Sequence, residues 1–143
     1  MVHDRQIAPE KVVLHGRSLG GAVATRLAEE VEPGGLVLES TFESMVAMAR
    51  RQAPAYPVRS LLRHPFDTWS RAPGVSIPTL ILHGDADSVV PVGHGRRLAH
   101  RFPVAHYVEV PGGHHNELLV LRDPAAKLAW LELLGRVGGV EER

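Results

Sequence analysis

The stretch Val12-Val13-Leu14-His15-Gly16-Arg17-Ser18-Leu19-Gly20-Gly21 decides the fold. Its first half is an apolar run over residues 11–15, rich in β-branched side chains and too short for a helix, and it predicts a buried strand. Its second half opens a helix over residues 19–30 in which Leu19, Val23 and Leu27 share one face, and Pro33-Gly34-Gly35 ends it. Between the two lies Gly16-Arg17-Ser18-Leu19-Gly20, a Gly-x-Ser-x-Gly sequence. A serine here sits on a strained strand-to-helix turn, and Gly16 and Gly20 leave room for close backbone approach. Ser18 is therefore the candidate nucleophile. The backbone N–H of Leu19, at the helix N-terminus, can point at a developing oxyanion.

Working outward, residues 36–40, 79–83 and 105–110 read as three further strands, and 42–52 and 93–102 as helices. A last helix starts at Asp123-Pro124, with Asp as N-cap and Pro at the first helical position, and runs to about residue 134. The opening residues 1–11 are polar and aperiodic, and the tail 138–143 is expected to fray. Pro54, Pro57, Pro65 and Pro73 make residues 54–78 an irregular or short-helical excursion. Strands alternating with helices imply an α/β fold: a parallel sheet of about four strands with right-handed crossover helices, in one domain over residues 1–143. Ligand sites in such sheets lie beyond the carboxyl ends of the strands.

The reactive residues cluster at those ends. A serine hydroxyl needs an imidazole as general base, and the imidazole needs an acceptor on its other nitrogen. Asp85 or Asp87 after the third strand can supply the acid, and His114 or His115 after the fourth can supply the base; spacing leaves both choices open. Asp85 and Asp87 are also turn formers. His83 reads as structural, and His3, His15, His64, His94, His100 and His106 as surface or satisfied structural residues. Adjacent His114 and His115 lack the further ligands that zinc requires, so neither a metal nor a cofactor is expected. Net charge is zero, which argues against nucleic acid or an anionic membrane held by bulk electrostatics. No apolar run is long enough to span a membrane. With no cysteine the chain has no disulfide and no thiolate chemistry, and a cytoplasmic location is expected.

Three motifs in order carry a family resemblance: the opening stretch, Leu38-Glu39-Ser40-Thr41-Phe42, and Ile77-Pro78-Thr79-Leu80-Ile81-Leu82-His83-Gly84 through Pro91. Together they resemble α/β-hydrolases with a small or absent lid, the esterase-like and acyl-protein-thioesterase-like branch. The resemblance implies Ser18 as nucleophile, Asp87 as acid (fifth in His-Gly-x-x-Asp-x-x-Val-Pro), His115 as base (before Asn116-Glu117) and Leu19 as the first oxyanion donor. It implies hydrolysis of a small-molecule ester, thioester or amide through an acyl-serine. It also implies that the chain corresponds to the C-terminal half of the fold, without the earlier strands and the loop that carries the second oxyanion donor. Two alternatives follow: a catalytically incomplete fragment, or a half-domain that associates through its first strand, which becomes an open apolar edge. Arg59 and Arg63 in the 43–77 excursion read as solvated rather than substrate-binding.

Overall fold

A computed structural model describes residues 7–61 and 63–139. Four strands, β1 (Val13–Arg17), β2 (Gly35–Glu39), β3 (Thr79–Gly84) and β4 (Ala105–Val110), form one sheet in the order β1-β2-β3-β4. All three neighbouring pairs are parallel, with Gly16 opposite Leu38, Leu38 opposite Ile81 and Gly84 opposite Val110. Seven helices connect and cover them among the described residues: α1 (Leu19–Val31), α2 (Met45–Gln52), α3 (Val58–Leu61), α4 (Thr68–Arg71), α5 (Gly93–Ala99), α6 (Leu119–Arg122) and α7 (Pro124–Gly138). Short turns of 3₁₀ helix lie at Pro9–Lys11 and Ala72–Gly74.

Period-two alternation along the strands feeds two cores. Leu36, Leu38 and Ile81 face α1 and α5 with Ala24, Ala28, Leu98 and Phe102; Val37, Leu80 and Leu82 face α6 and α7 with Leu119, Ala126 and Leu133. The expected parallel α/β sheet of four strands is the one observed, and the strand ends that carry Ser18, Asp87 and His115 share one edge of the sheet.

The boundaries move for local reasons. β1 begins at Val13 rather than residue 11 because Lys11 N–H bonds Ala8 O and Val12 N–H bonds Pro9 O, each at 2.9 Å, before pairing with β2 starts. The helix expected from residue 42 starts at Met45, where the Ser44 hydroxyl caps it by accepting from Ala47 N at 3.1 Å. The helix expected to reach residue 102 ends at Ala99 and gives way to turns. Asp123 caps α7 as expected, accepting from Ala126 N at 2.9 Å. That helix runs on to Gly138 and ends with Gly139 in the left-handed region at φ 67°. The fraying expected of residues 140–143, and His3 within the opening segment, lie outside the described residues.

α1 differs most in its orientation. Its buried residues are Gly21, Ala22, Ala24, Thr25 and Ala28, and the face of Leu19, Val23 and Leu27, continued by Val31, points away from the sheet. The cause is distance. A β-carbon added at Gly21 would lie 2.2 Å from the Thr41 hydroxyl oxygen, so the helix packs too close for large side chains. The apolar residues are left as an outward stripe, each more than 40% exposed.

Candidate active site

The turn from β1 into α1 builds the site around Ser18. Ser18 has φ 51° and ψ −120°, a conformation that non-glycine residues adopt only when surrounding structure enforces it. Three hydrogen bonds enforce it here: Ser18 N–H to Glu39 O at 2.9 Å, the Thr41 hydroxyl to Ser18 O at 2.7 Å, and Gly21 N–H to the same Ser18 O at 3.0 Å. Gly16 is needed sterically, since its β-carbon would lie 2.4 Å from Gly20 O. Gly20, expected to serve the same purpose, has nothing within 4 Å of that position; Gly21 takes the second role, against Thr41.

The loops after β3 and β4 are stitched together. Asp85 N–H bonds Val110 O and Ala86 N–H bonds Gly113 O, both at 3.2 Å. Asp85 Oδ1 accepts from Gly112 N at 2.6 Å, and the His114 ring Nδ1 meets Ala86 O at 3.1 Å. Both alternative residues are thus engaged in holding loop to loop. Asp87 Oδ1 accepts from Val89 N at 2.9 Å and Val90 N at 2.8 Å, while Oδ2 faces His115 Nδ1 at 2.8 Å. His115 Nε2 lies 3.2 Å from Ser18 Oγ. The structure therefore brings Ser18, His115 and Asp87 into one chain of contacts, and directs Asp85 and His114 elsewhere. With Nδ1–H donated to Asp87, Nε2 of a neutral His115 is left as an acceptor toward the Ser18 hydroxyl. Leu19 opens α1, where the first N–H groups have no acceptor within the helix.

His83 lies behind Asp87. Burial pushes its pKa below the usual histidine value, against the opposing pull of Val90 O and Asp87. Its Nε2 donates to Val90 O at 2.8 Å and stays 3.6 Å from Asp87 Oδ2, so it braces the loop that bears Asp87 as a neutral ring rather than as an ion-pair partner. His94 is also held low by burial, opposed by Glu43, whose carboxylate lies 2.7 Å from Nδ1.

Glu39 has no role in the sequence reading beyond its place in the second motif. It ends β2 fully buried, with Oε1 accepting from Leu119 N at 2.5 Å and Oε2 facing His15 Nε2 at 3.0 Å. One carboxylate therefore joins the strand before Ser18 to the helix after His115. The available signal was a charged residue closing an otherwise apolar strand, because buried carboxylates survive only when paired. Arg59 and Arg63 are both exposed; Arg63 borders a cavity that opens at Ser18, and Arg59 a separate one behind α2. Among the described residues no group of His, Cys, Asp and Glu is arranged to hold a metal, and no helix is long and apolar enough to cross a membrane.

A sequence model of the serine hydrolase (FSH1) family matches residues 8–116. The chain is 36% identical over 112 residues to an uncharacterized protein of Mycobacterium tuberculosis, covering 78% of this chain and 40% of that one. It is 31% identical over 117 residues to the alpha/beta hydrolase domain-containing protein aho-3 of Caenorhabditis elegans, covering 78% and 33%. The chain thus spans about a third to two fifths of the length of these curated relatives. In structure it resembles an alpha/beta hydrolase enzyme from a metagenome of lagoon sediments at Mar Chica, Morocco, with TM-score 0.64, 20% identity, and 90% and 63% of the two chains covered. It also resembles an esterase of Rhodococcus sp. ECU1013, with TM-score 0.64, 17% identity, and 94% and 67% covered. These two likenesses are of fold, and the family match runs from the turn before β1 through the loop that bears His115. On that match, and with the parallel sheet shared with solved α/β-hydrolases, the chain belongs to the serine hydrolase (FSH1) family.

Proposed function

We propose that this chain carries the nucleophile, base and acid of an enzyme that hydrolyses ester or thioester bonds through an acyl-Ser18 intermediate. The observation that carries the reading is the contact chain Ser18 Oγ–His115 Nε2 at 3.2 Å and His115 Nδ1–Asp87 Oδ2 at 2.8 Å. Ser18 Oγ attacks the carbonyl carbon as its proton passes to His115 Nε2. Asp87 holds the imidazole in the required tautomer and stabilises the imidazolium. The oxyanion forms against the Leu19 N–H. The C–O or C–S bond then breaks, and the imidazolium returns the proton to the departing alcohol or thiol. Water repeats the sequence on the acyl-enzyme, releasing the carboxylic acid and restoring Ser18. The cysteine-free sequence is compatible with the reducing cytoplasm, and we place the activity there. A serine-directed fluorophosphonate is expected to label the protein and to leave the Ser18→Ala variant unlabelled. A folded wild-type sample that takes no label overturns the reading.

A second reading rests on different residues. β1 is an edge strand, and Leu19, Val23, Leu27 and Val31 form an apolar stripe beside it. Among the described residues this edge has no partner strand, and such an edge next to exposed apolar area favours pairing with a further strand, here that of a second copy. Light scattering tests it. A concentration-dependent dimer that dissociates on Val23→Lys with Leu27→Lys supports association, and a monodisperse monomer across the micromolar range rejects self-association.

A further inference from the structure

We propose that His83 is a positioning residue for the reaction: through Val90 it sets where the Asp87 carboxylate stands, and α5 seats its ring at Gly95. The proposal adds a residue beyond the Ser-His-Asp set and rests on the hydrolase reading. His83 is fully buried, on the same face of β3 as Ile81. Its two ring nitrogens have different surroundings. Nε2 lies 2.8 Å from Val90 O, which can only accept, so the proton is on Nε2. Nδ1 then carries a lone pair, and among the described residues it has no partner. A buried acceptor left without a donor opposes folding, and an aliphatic side chain of similar size would avoid that loss. The ring is explained by what its Nε2–H does, not by how it packs.

Val90 is the link. Its carbonyl is held by His83, and its N–H joins that of Val89 on Asp87 Oδ1, at 2.8 Å and 2.9 Å. Pro91 follows, so the next position has no N–H to offer a competing bond. With the carbonyl of Val90 anchored, its N–H is aimed at the carboxylate, and Asp87 Oδ2 is left 2.8 Å from His115 Nδ1. His83 Nε2 itself stays 3.6 Å from Asp87 Oδ2, too long for a hydrogen bond, and burial lowers the ring's pKa and keeps it neutral. The influence of His83 on Asp87 therefore runs through Val90 rather than through charge. α5 supplies the seat. A β-carbon on Gly95 would lie 2.6 Å from His83 Nδ1 and 2.9 Å from His83 Cβ, so the ring rests on bare helix backbone that only glycine leaves free. The same turn of α5 is tied to the end of the Asp87 loop, where His94 N–H bonds Pro91 O at 2.9 Å.

Phosphonate labelling resolved into rate and final labelled fraction tests the proposal, because a folding defect lowers the fraction and a misplaced Asp87 lowers the rate. His83→Leu removes the donor, and His83→Gln can return an amide N–H to Val90 O. His83→Leu is expected to label completely but up to about 10²-fold more slowly, and His83→Gln to recover most of the rate. The proton resonance of the Asp87–His115 hydrogen bond, assigned by its loss in Asp87→Ala, reads the same geometry without chemistry at Ser18. It is expected to shift or vanish in His83→Leu and to stay near its wild-type position in His83→Gln. Gly95→Ala pushes the ring off its seat and is expected to slow labelling too. In a His83→Ala background, where the methyl has room, Gly95→Ala is expected to slow it no further. Labelling of His83→Leu at the wild-type rate overturns the proposal, as do equal slowing by Leu and Gln, and a lowered labelled fraction at an unchanged rate. If His83→Leu shows no cooperative urea transition, Gly95→Ala decides, and labelling at the wild-type rate overturns the proposal. A wild type that takes no label, with a resonance that still responds to His83→Leu, sinks the hydrolase reading alone. Full labelling with a resonance indifferent to His83→Leu sinks the positioning role alone.

Discussion

Replacing Glu39 with alanine removes an acceptor shared by two elements around Ser18. The carboxylate is fully buried, receives the Leu119 N–H at 2.5 Å and contacts His15 Nε2 at 3.0 Å. Its loss leaves a buried backbone donor without a partner, which costs about 1–3 kcal/mol, and the emptied stem adds about 0.8 kcal/mol for each lost methylene. Together these come to about 2–4 kcal/mol. For a chain of this size that corresponds to a fall in Tm of roughly 6–16 °C. Glu39→Gln separates hydrogen bonding from charge. The amide oxygen can still accept from Leu119, and the amide N–H can donate to a neutral His15, so the expected cost is about 1 kcal/mol. Urea unfolding followed by circular dichroism measures both variants, and the phosphonate labelling rate shows whether His115 keeps its place. Glu39→Ala within about 0.5 kcal/mol of wild type, a change typical of surface sites, refutes the clamp. Equal damage from Gln and Ala refutes its hydrogen-bonding basis.

Gly16→Ala forces a β-carbon to 2.4 Å from backbone oxygen and is expected to prevent stable folding, whereas Gly20→Ala meets open space. In α1 the latter should be neutral or stabilising by up to about 1 kcal/mol; urea midpoints of the pair decide. Asp87→Asn keeps an acceptor for Val89 and Val90 but offers His115 an N–H, favouring the tautomer with its proton on Nε2. The phosphonate labelling rate should fall by up to about 10⁴-fold with little change in Tm. His83 and His94 both have pKa values lowered by burial from the usual 6.5. Between that value and their depressed folded-state values the unfolded chain binds more protons, so stability is full above about pH 6.5 and declines below it. Urea midpoints from pH 7.5 to 5.5 should show this slope, and His94→Gln should make it shallower.

Much of the fold follows from patterns that a sequence displays openly. Four short β-branched or leucine-rich runs become the four strands, and Gly16 to Gly20 becomes the turn that bears Ser18. The choice between Asp85 and Asp87, and between His114 and His115, was not available from spacing, because all four lie in two loops that touch. The structure separates them by partner: Asp85 and His114 stitch loop to loop, while Asp87 and His115 meet on the way to Ser18. The buried face of α1 was illegible for another reason. Periodicity marks hydrophobic side chains, but this helix packs through small ones, since the Thr41 hydroxyl stands where a β-carbon on Gly21 would be. Glu39 was hidden because its partners, Leu119 and His15, are distant in sequence and one of them is a backbone N–H.

Residues 39–41 support the site through three separate groups: the Glu39 carbonyl and the Thr41 hydroxyl bond Ser18 itself, and the Glu39 carboxylate bonds Leu119 and His15 on the elements beside it. None of them belongs to the proposed Ser-His-Asp set, yet each determines where a member of that set stands. A mutational scan scored on activity alone would therefore rank these positions with the catalytic residues. Scoring the same library for yield of folded protein would move positions 39 and 41 into a different class and leave 18, 87 and 115 in the first. The end of β2 works as the jig of this site, and its errors would be read as errors of chemistry.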